Sequence, residues 1–460
     1  MARSKGFLIA VLATAAFGGT FPGSASASTQ PAPSSDASAV HRAAKVMDAI
    51  ELRVLLGRLL GEHSFLLMDA MRASTVGQED RDALIAALAD NSAELTGAIE
   101  AVYGAEAGRR FGALWEEHVQ LLLDYADATR AGDDAGRRAA ADGLDDYTVA
   151  LGQALVSLNP SLLAHDETEA LKLHIDQVRA FADGDYAGAY AAHRAAFQHM
   201  FKLGDHLALE IARQFPDRFP GGAVAFSPRS DLRLSLDQLL GEHLVLAALA
   251  MRAGVTQSAD FTAAGDALNG NTDDLSAAIG GIYGQGAADL FKQVWSEHIN
   301  AYVTFVQALG SGDDEARASS LAALHAYHDR IAEFLSGVNP QLDRQAVGDL
   351  IRRHVQALVT QAEATAAEDP ARAIAATRDG YDGTFEVGAA LAEAIAAQHP
   401  ERFRDLRDLP ATDTAASHAS GDDSPSGSML RAALVMAIAS MAVIAGTETR
   451  RRRSVRAPKE

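Results

Sequence analysis

The chain of 460 residues contains no cysteine. That excludes disulfide frameworks, thiolate zinc sites, iron–sulfur clusters and thiol nucleophiles. Aromatic residues are few, and runs of valine or threonine with two-residue alternation are absent, which argues against an all-β protein. Positive charge is scarce: 40 Lys and Arg stand against 61 Asp and Glu, a net charge of -21. Nucleic-acid binding needs a basic face, so that class of partner is excluded. Also missing are a Gly-rich phosphate loop, a His-Glu-x-x-His helix, a Gly-x-Ser-x-Gly elbow and the Glu-x-x-His pairs of di-iron bundles. Nothing therefore points to hydrolysis or phosphoryl transfer, and no catalytic residue is assigned.

The two ends read as addresses rather than fold. Residues 1–27 have the form of a signal peptide: Arg3 and Lys5, an apolar stretch over Phe7–Phe17, and the small-residue site Ala25-Ser26-Ala27. A polar linker follows over 28–45. Near the other end, 405–428 is a second linker and 429–446 an apolar stretch of transmembrane type. The basic tail 447–460 contains Arg450-Arg451-Arg452-Arg453. A basic flank belongs on the cytoplasmic side, so the expected topology is an exported body with a membrane anchor. Leu409-Pro410-Ala411-Thr412-Asp413 is similar to a sortase signal, although Asp413 stands where glycine is expected, so covalent wall linkage is the alternative. Between the two addresses, 28–428 carries 31 basic and 59 acidic residues, a composition that keeps the body soluble and attracts cations.

The body repeats itself. Leu59-Leu60-Gly61-Glu62-His63 returns as Leu239-Leu240-Gly241-Glu242-His243. Met71-Arg72, Tyr103-Gly104, Trp115, His118, Asn159-Pro160 and His174 return at the same offset of 180, as Met251-Arg252, Tyr283-Gly284, Trp295, His298, Asn339-Pro340 and His354. Past His354 the second copy gains four residues, so Phe201, Pro216 and Phe219 match Phe385, Pro400 and Phe403. A period this long reads as a duplicated domain rather than a solenoid. The units are 46–219 and 227–404, joined by Pro220–Ser230. In the first unit, apolar-periodic runs cover 46–73, 79–102, 105–131, 134–157, 162–182 and 185–214, punctuated by glycine and Asn159-Pro160. The expected fold is all-α: two tandem up-and-down helical bundles from an internal duplication, plus a C-terminal membrane helix.

Histidine is the residue that stands out, with 15 in the chain. His63, His118, His174 and His199 each share a helical face with leucines, aromatics or alanines, so all four are expected to point into the first bundle. In the second unit His243, His298 and His354 do the same. His199, His193 and His206 align with Gly383, Thr377 and Ala390, so the second unit lacks that helix's contribution. His325 and His328 are its candidate extras. A single buried imidazole is usually a satisfied structural group. Several converging on one core suggest a shared partner, and neutral imidazole is the commonest metal ligand. Met71 and Met200 would suit Cu(I) or haem, or simply fill the core. Glu62, Glu117, Glu242 and Glu297, each just before a histidine, are candidate acceptors behind the ligands.

The tandem units, with Leu-Gly-Glu-His, Met71-Arg72-Ala73, Tyr-Gly, Trp-x-x-His and His199-Met200-Phe201, resemble a family of secreted Gram-positive helical proteins labelled copper amine oxidase-like. The resemblance implies copper. It implies little of amine oxidation, since true copper amine oxidases are β-rich and need an Asn-Tyr-Asp/Glu tripeptide that this chain lacks. The resulting expectation is an envelope-anchored, extracytoplasmic transition-metal protein, copper foremost, that sequesters, delivers or senses the ion, with enzymatic activity left unassigned. Alternatives are a haem-binding envelope protein, a metal-free interaction module, and a copper-dependent oxidase.

Overall fold

The computed structural model describes residues 47–164, 167–221 and 225–403. The signal, linker, sorting, membrane and basic-tail segments expected from the sequence lie outside these residues. Every ordered element described is helical: α1 (Ala49–Val76), α2 (Arg81–Tyr103), α3 (Ala105–Ala131), α4 (Asp134–Leu158), α5 (Glu167–Ala182), α6 (Tyr186–Gln214), α7 (Pro228–Val255), α8 (Phe261–Tyr283), α9 (Gln285–Ser311), α10 (Asp314–Val338), α11 (Arg344–Ala366) and α12 (Pro370–Gln398).

Local chemistry sets the helix ends. Asp48 caps α1 through the backbone N–H groups of Ile50 and Glu51, and Glu51 bonds back to the Asp48 N–H, a reciprocal cap that satisfies otherwise orphaned donors. Ser227 caps α7, with Pro228 at the first helical position. The Tyr-Gly pairs mark sharp corners. Gly104 and Gly284 take φ of 91° and 87°, where a side chain would be strained, and each passes the chain directly from one helix into the next. After Asn159 a 3-10 turn over Pro160–Ala164 delays the start of α5 to Glu167, five residues later than its periodicity suggests.

Within the first half α1 is the central rod, packed against α2, α3, α5 and α6; within the second, α7 packs against α8, α9, α11 and α12. Leu66, Leu67, Met68, Ala70 and Met71 of α1 have no solvent exposure, so over this stretch the helix is enclosed on every side. Fully burying such side chains contributes about 1.5–3 kcal/mol each. Among the described residues α7 alone is long and apolar enough to cross a membrane, and it too lies inside the core.

The two halves do not stand apart as beads. They belong to one compact unit. α1 meets α7 directly, α6 packs on α8 as α12 packs on α2, and α6 touches α7 as α12 touches α1. The exchange is reciprocal. At its centre Gly61 and Gly241, the glycines of the two Leu-Gly-Glu-His motifs, leave room for aromatics from α6 and α12. A Cβ on Gly61 would lie 2.5 Å from Tyr381 Oη and 2.6 Å from Phe201, and one on Gly241 would lie 2.9 Å from Tyr381. The joint between halves is pinned by buried Arg53, which reaches Asp205, the Ala225 carbonyl, Ser230 and Asp231.

Candidate metal centre

The central helices carry one histidine each at mid-length, so His63 and His243 start deep in the core, both 1% exposed. In the second half α9 supplies His298 and α11 supplies His354. Each of these three offers one ring nitrogen, and the three nitrogens lie within 4.8 Å of one another. Among the described residues no other three His, Asp or Glu side chains close to that distance. His243 Nε2 and His298 Nε2 are 3.4 Å apart. Tetrahedral metal–imidazole bonds of about 2.0–2.1 Å put neighbouring nitrogens about 3.3–3.4 Å apart, so this edge already has the right length.

The first half repeats the arrangement with a wider third corner. His63 Nε2 and His118 Nε2 are 3.2 Å apart. His174 donates from Nδ1 to the Ala170 carbonyl at 2.6 Å, which leaves its Nε2 as a bare lone pair, buried and with no hydrogen-bond partner. A hydrogen bond on one ring nitrogen that frees the other is the usual arrangement behind a metal ligand.

The facing Nε2 atoms restrict how protons can be placed on these rings. The Nδ1 atoms of His63, His118, His243 and His298 are buried and none makes an aligned hydrogen bond. Two neutral rings facing each other through Nε2 hold two protons among four nitrogens. One proton can bridge the Nε2 atoms; the other is then left on a buried Nδ1. If both protons sit on Nδ1, two lone pairs oppose each other at 3.2–3.4 Å. The bridged choice leaves one ring's Nδ1 lone pair bare, and the second opposes two lone pairs, at about 1–3 kcal/mol per unsatisfied group. A cation between the Nε2 atoms removes the conflict. Both Nδ1 protons can then turn toward the groups that already favour them: Asn91 at His63, the Leu114 and Trp115 carbonyls at His118, Asn271 at His243 and Trp295 at His298.

Burial keeps the rings neutral. Loss of solvation pushes His118 down to about 3, and His174 and His354 down to about 4. It drives His63, His243 and His298 well below the usual imidazole value, helped by neighbouring imidazoles. All are therefore in the ligand-competent form at neutral pH.

Aromatic walls enclose both centres. Trp115 lies 4.5 Å from the ring centres of His63 and of His118, and Tyr147 stacks on His118 at 4.9 Å. In the second half Trp295 lies 4.8 Å from His243 and from His298, and Tyr327 stacks on His298 at 4.4 Å. The Tyr327 hydroxyl and both indole N–H groups are buried without partners. These aromatics recur at the 180-residue offset, a signal that periodicity alone did not connect to the site.

Other candidates fall elsewhere. His199 is half-buried and near enough to His174 to depress its protonation; on the same helix His193 is the enclosed residue, 2% exposed. The reason is that α6 packs on α1 and α5 on one side and on α7 and α8 on the other, so its buried surface is not a single stripe. His206 is half-buried on α6. His325 is exposed, and half-buried His328 sits beside Asp329. Met71 and Met200 are core residues. Glu117 faces solvent and Glu297 pairs with Arg330, whereas Glu62 and Glu242 are both 1% exposed.

No family model, no curated protein and no solved structure matches this chain.

Proposed function

We propose that the protein is a transition-metal-binding protein of the cell envelope, with copper the foremost ion, held by buried imidazoles rather than by thiolates or carboxylates. The observation that carries this reading is the trio of buried His243 and His298 and half-buried His354, with ring nitrogens within 4.8 Å of one another and the His354 Nε2 without a hydrogen-bond partner. The pair His63 and His118, with the bare Nε2 of His174, forms the matching site of the first half. Neutral nitrogen donors suit copper, which heads the divalent affinity order, and also zinc. Burial of the ligands suits retention of the ion, hence sequestration or sensing, better than rapid hand-over. The spacing favours a bare ion over haem, since imidazole nitrogens 3.2–3.4 Å apart leave no room for a macrocycle between them. The reciprocal helix contacts and the 180-residue offset support an internal duplication as the origin of the two halves. Export and anchoring through 429–446 complete the proposal on the strength of sequence pattern.

Elemental analysis of purified protein after exposure to copper or zinc tests it. Near-stoichiometric ion, reduced in His298→Ala and in His118→Ala, is the expected result. Absence of bound metal with no change in melting temperature would leave an interaction module, a Soret band would indicate haem, and oxygen uptake with amines would indicate an oxidase.

A further inference from the structure

We infer that each half sets the ring tautomer of its own central histidine with an arginine lent by the other half. Arg378 on α12 donates from Nε to Glu62 Oε1 at 2.6 Å, across the boundary between halves. Glu62 is enclosed beside His63 on α1, and its Oε2 accepts from Asn91 Nδ2 at 2.9 Å. The same Nδ2 donates to the Leu59 carbonyl at 3.0 Å. With both amide protons so committed, Asn91 must present its carbonyl oxygen to the ring. Asn91 Oδ1 and His63 Nδ1 are each buried without an aligned hydrogen-bond partner, and Asn91 is the side chain whose hydrogen bonding bears on His63, so a small turn of the ring joins the two. The oxygen holds the proton on Nδ1 and leaves Nε2 as the ligand.

The mirror image runs the other way. Arg194 on α6 of the first half grips Glu242 through Nε at 3.0 Å and Nη2 at 3.1 Å. Asn271 Nδ2 donates to Glu242 Oε2 at 2.9 Å and to the Leu239 carbonyl at 3.0 Å. Asn271 bears on His243 as Asn91 does on His63. Arg194 and Arg378 are separated by 184 residues, the offset that applies to this part of the repeat. Both arginines also touch outer acids: Arg378 meets Glu94 and Asp90, and Arg194 meets Asp274. One difference matters. Glu62 has a second cation, Arg58, 3.9 Å away, while Gln238 occupies the equivalent position by Glu242. Among the described residues Glu242 thus has Arg194 as its one cation, with Gln198 of the same helix also donating to it at 3.4 Å.

Without the arginine, the enclosed carboxylate loses its fork of hydrogen bonds and swings away from the asparagine amide. Asn271 then loses the carboxylate that holds its amide, and His243 is free to carry its proton on Nε2, where it blocks ligation. Arg194 is thus a positioning residue for a site in the half to which it does not belong. This rests on the proposed metal site only for its consequence; the tautomer can be read without metal.

The test uses the full-length protein with 15N-labelled histidine. In the metal-free state, Arg194→Ala should move the His243 ring-nitrogen shifts toward the Nε2–H form and leave His63 unchanged; Arg378→Ala should act on His63 and spare His243. Arg194→Lys, which keeps the charge but not the fork, should give a smaller shift of the same kind and serves if the alanine variant does not fold. Zinc titration adds a second readout. In a His118→Ala background, Arg194→Ala should weaken the remaining site at least tenfold; in a His298→Ala background it should change affinity less than twofold. Unmoved His243 shifts, or equal shifts at His63 and His243, would overturn the inference. Failure of both sites to take up zinc or copper would remove the proposed function, while the crosswise shifts would still decide the relay.

Discussion

At the scale of single residues, acid–base behaviour follows from burial. His118, His174, His193 and His354 are held at about 3 to 4 when folded, below the ordinary 6.5. A depressed imidazole favours the fold while the ring is neutral in both states, and that support declines as pH falls from about 6.5 toward 4. The urea midpoint should therefore drop steeply between pH 7 and pH 4.5. Metal retention should persist to about pH 5.5, because the folded rings are still unprotonated there, whereas free imidazole is already mostly charged. Asp237 has the opposite sign. Burial pushes its carboxyl up to about 7 against the pull of Arg233. Its penalty is absent below the unfolded value, grows as pH rises, and is complete above about 7. Asp237→Asn, which keeps an acceptor for Arg233, should stabilise the protein by about 2–4 kcal/mol at pH 8 and change little at pH 4, measured by chemical denaturation. The core histidines were legible because periodicity and repetition both mark them. Arg194 and Arg378 were not, since an arginine on a helix ordinarily reads as surface. The fact that each is needed inside the opposite half appears only once α6 and α12 are placed.

At the scale of elements, the Leu-Gly-Glu-His motif divides its labour. The leucine packs, the glycine admits a neighbouring helix, the glutamate takes a foreign arginine and the histidine faces the site. Gly61→Ala and Gly241→Ala should each destabilise by about 1–3 kcal/mol, because the added methyl meets Tyr381 and Phe201 or Tyr381 alone at the crossing. Thermal melts of the two variants check this, with Gly61→Ala the more severe, having two aromatic neighbours to displace. Helix number and most boundaries could be read from glycine, Asn-Pro and the 3.6-residue period. The late start of α5 could not, since a 3-10 turn carries the same local apolar pattern as a first helical turn. Nor did a face-by-face reading reveal α1 as the central rod. A helix enclosed on every side has no contrast between faces for periodicity to detect.

At the scale of the molecule, the boundary between halves is crossed by enclosed charge, Arg378 to Glu62 and Arg194 to Glu242. A fragment comprising 46–219 alone would keep Glu62 while losing Arg378, and would expose Phe197 and Phe201. Because Arg194 occupies the position equivalent to Arg378, the fragment should recover the lost contacts by pairing with itself, and sedimentation should show a dimer. A stable monomer melting like the intact protein would contradict the interdependence seen in the contacts. The sequence marked two copies but described them as tandem bodies. Linear spacing records which residues recur and is silent on which copy each recurring side chain serves.

The lending of arginines across the boundary constrains how this protein can change over time. A substitution that discharges one half's guanidinium is felt as damage at the other half's imidazole, so neither half is free to vary alone. The pair persists or fails as a single heritable unit.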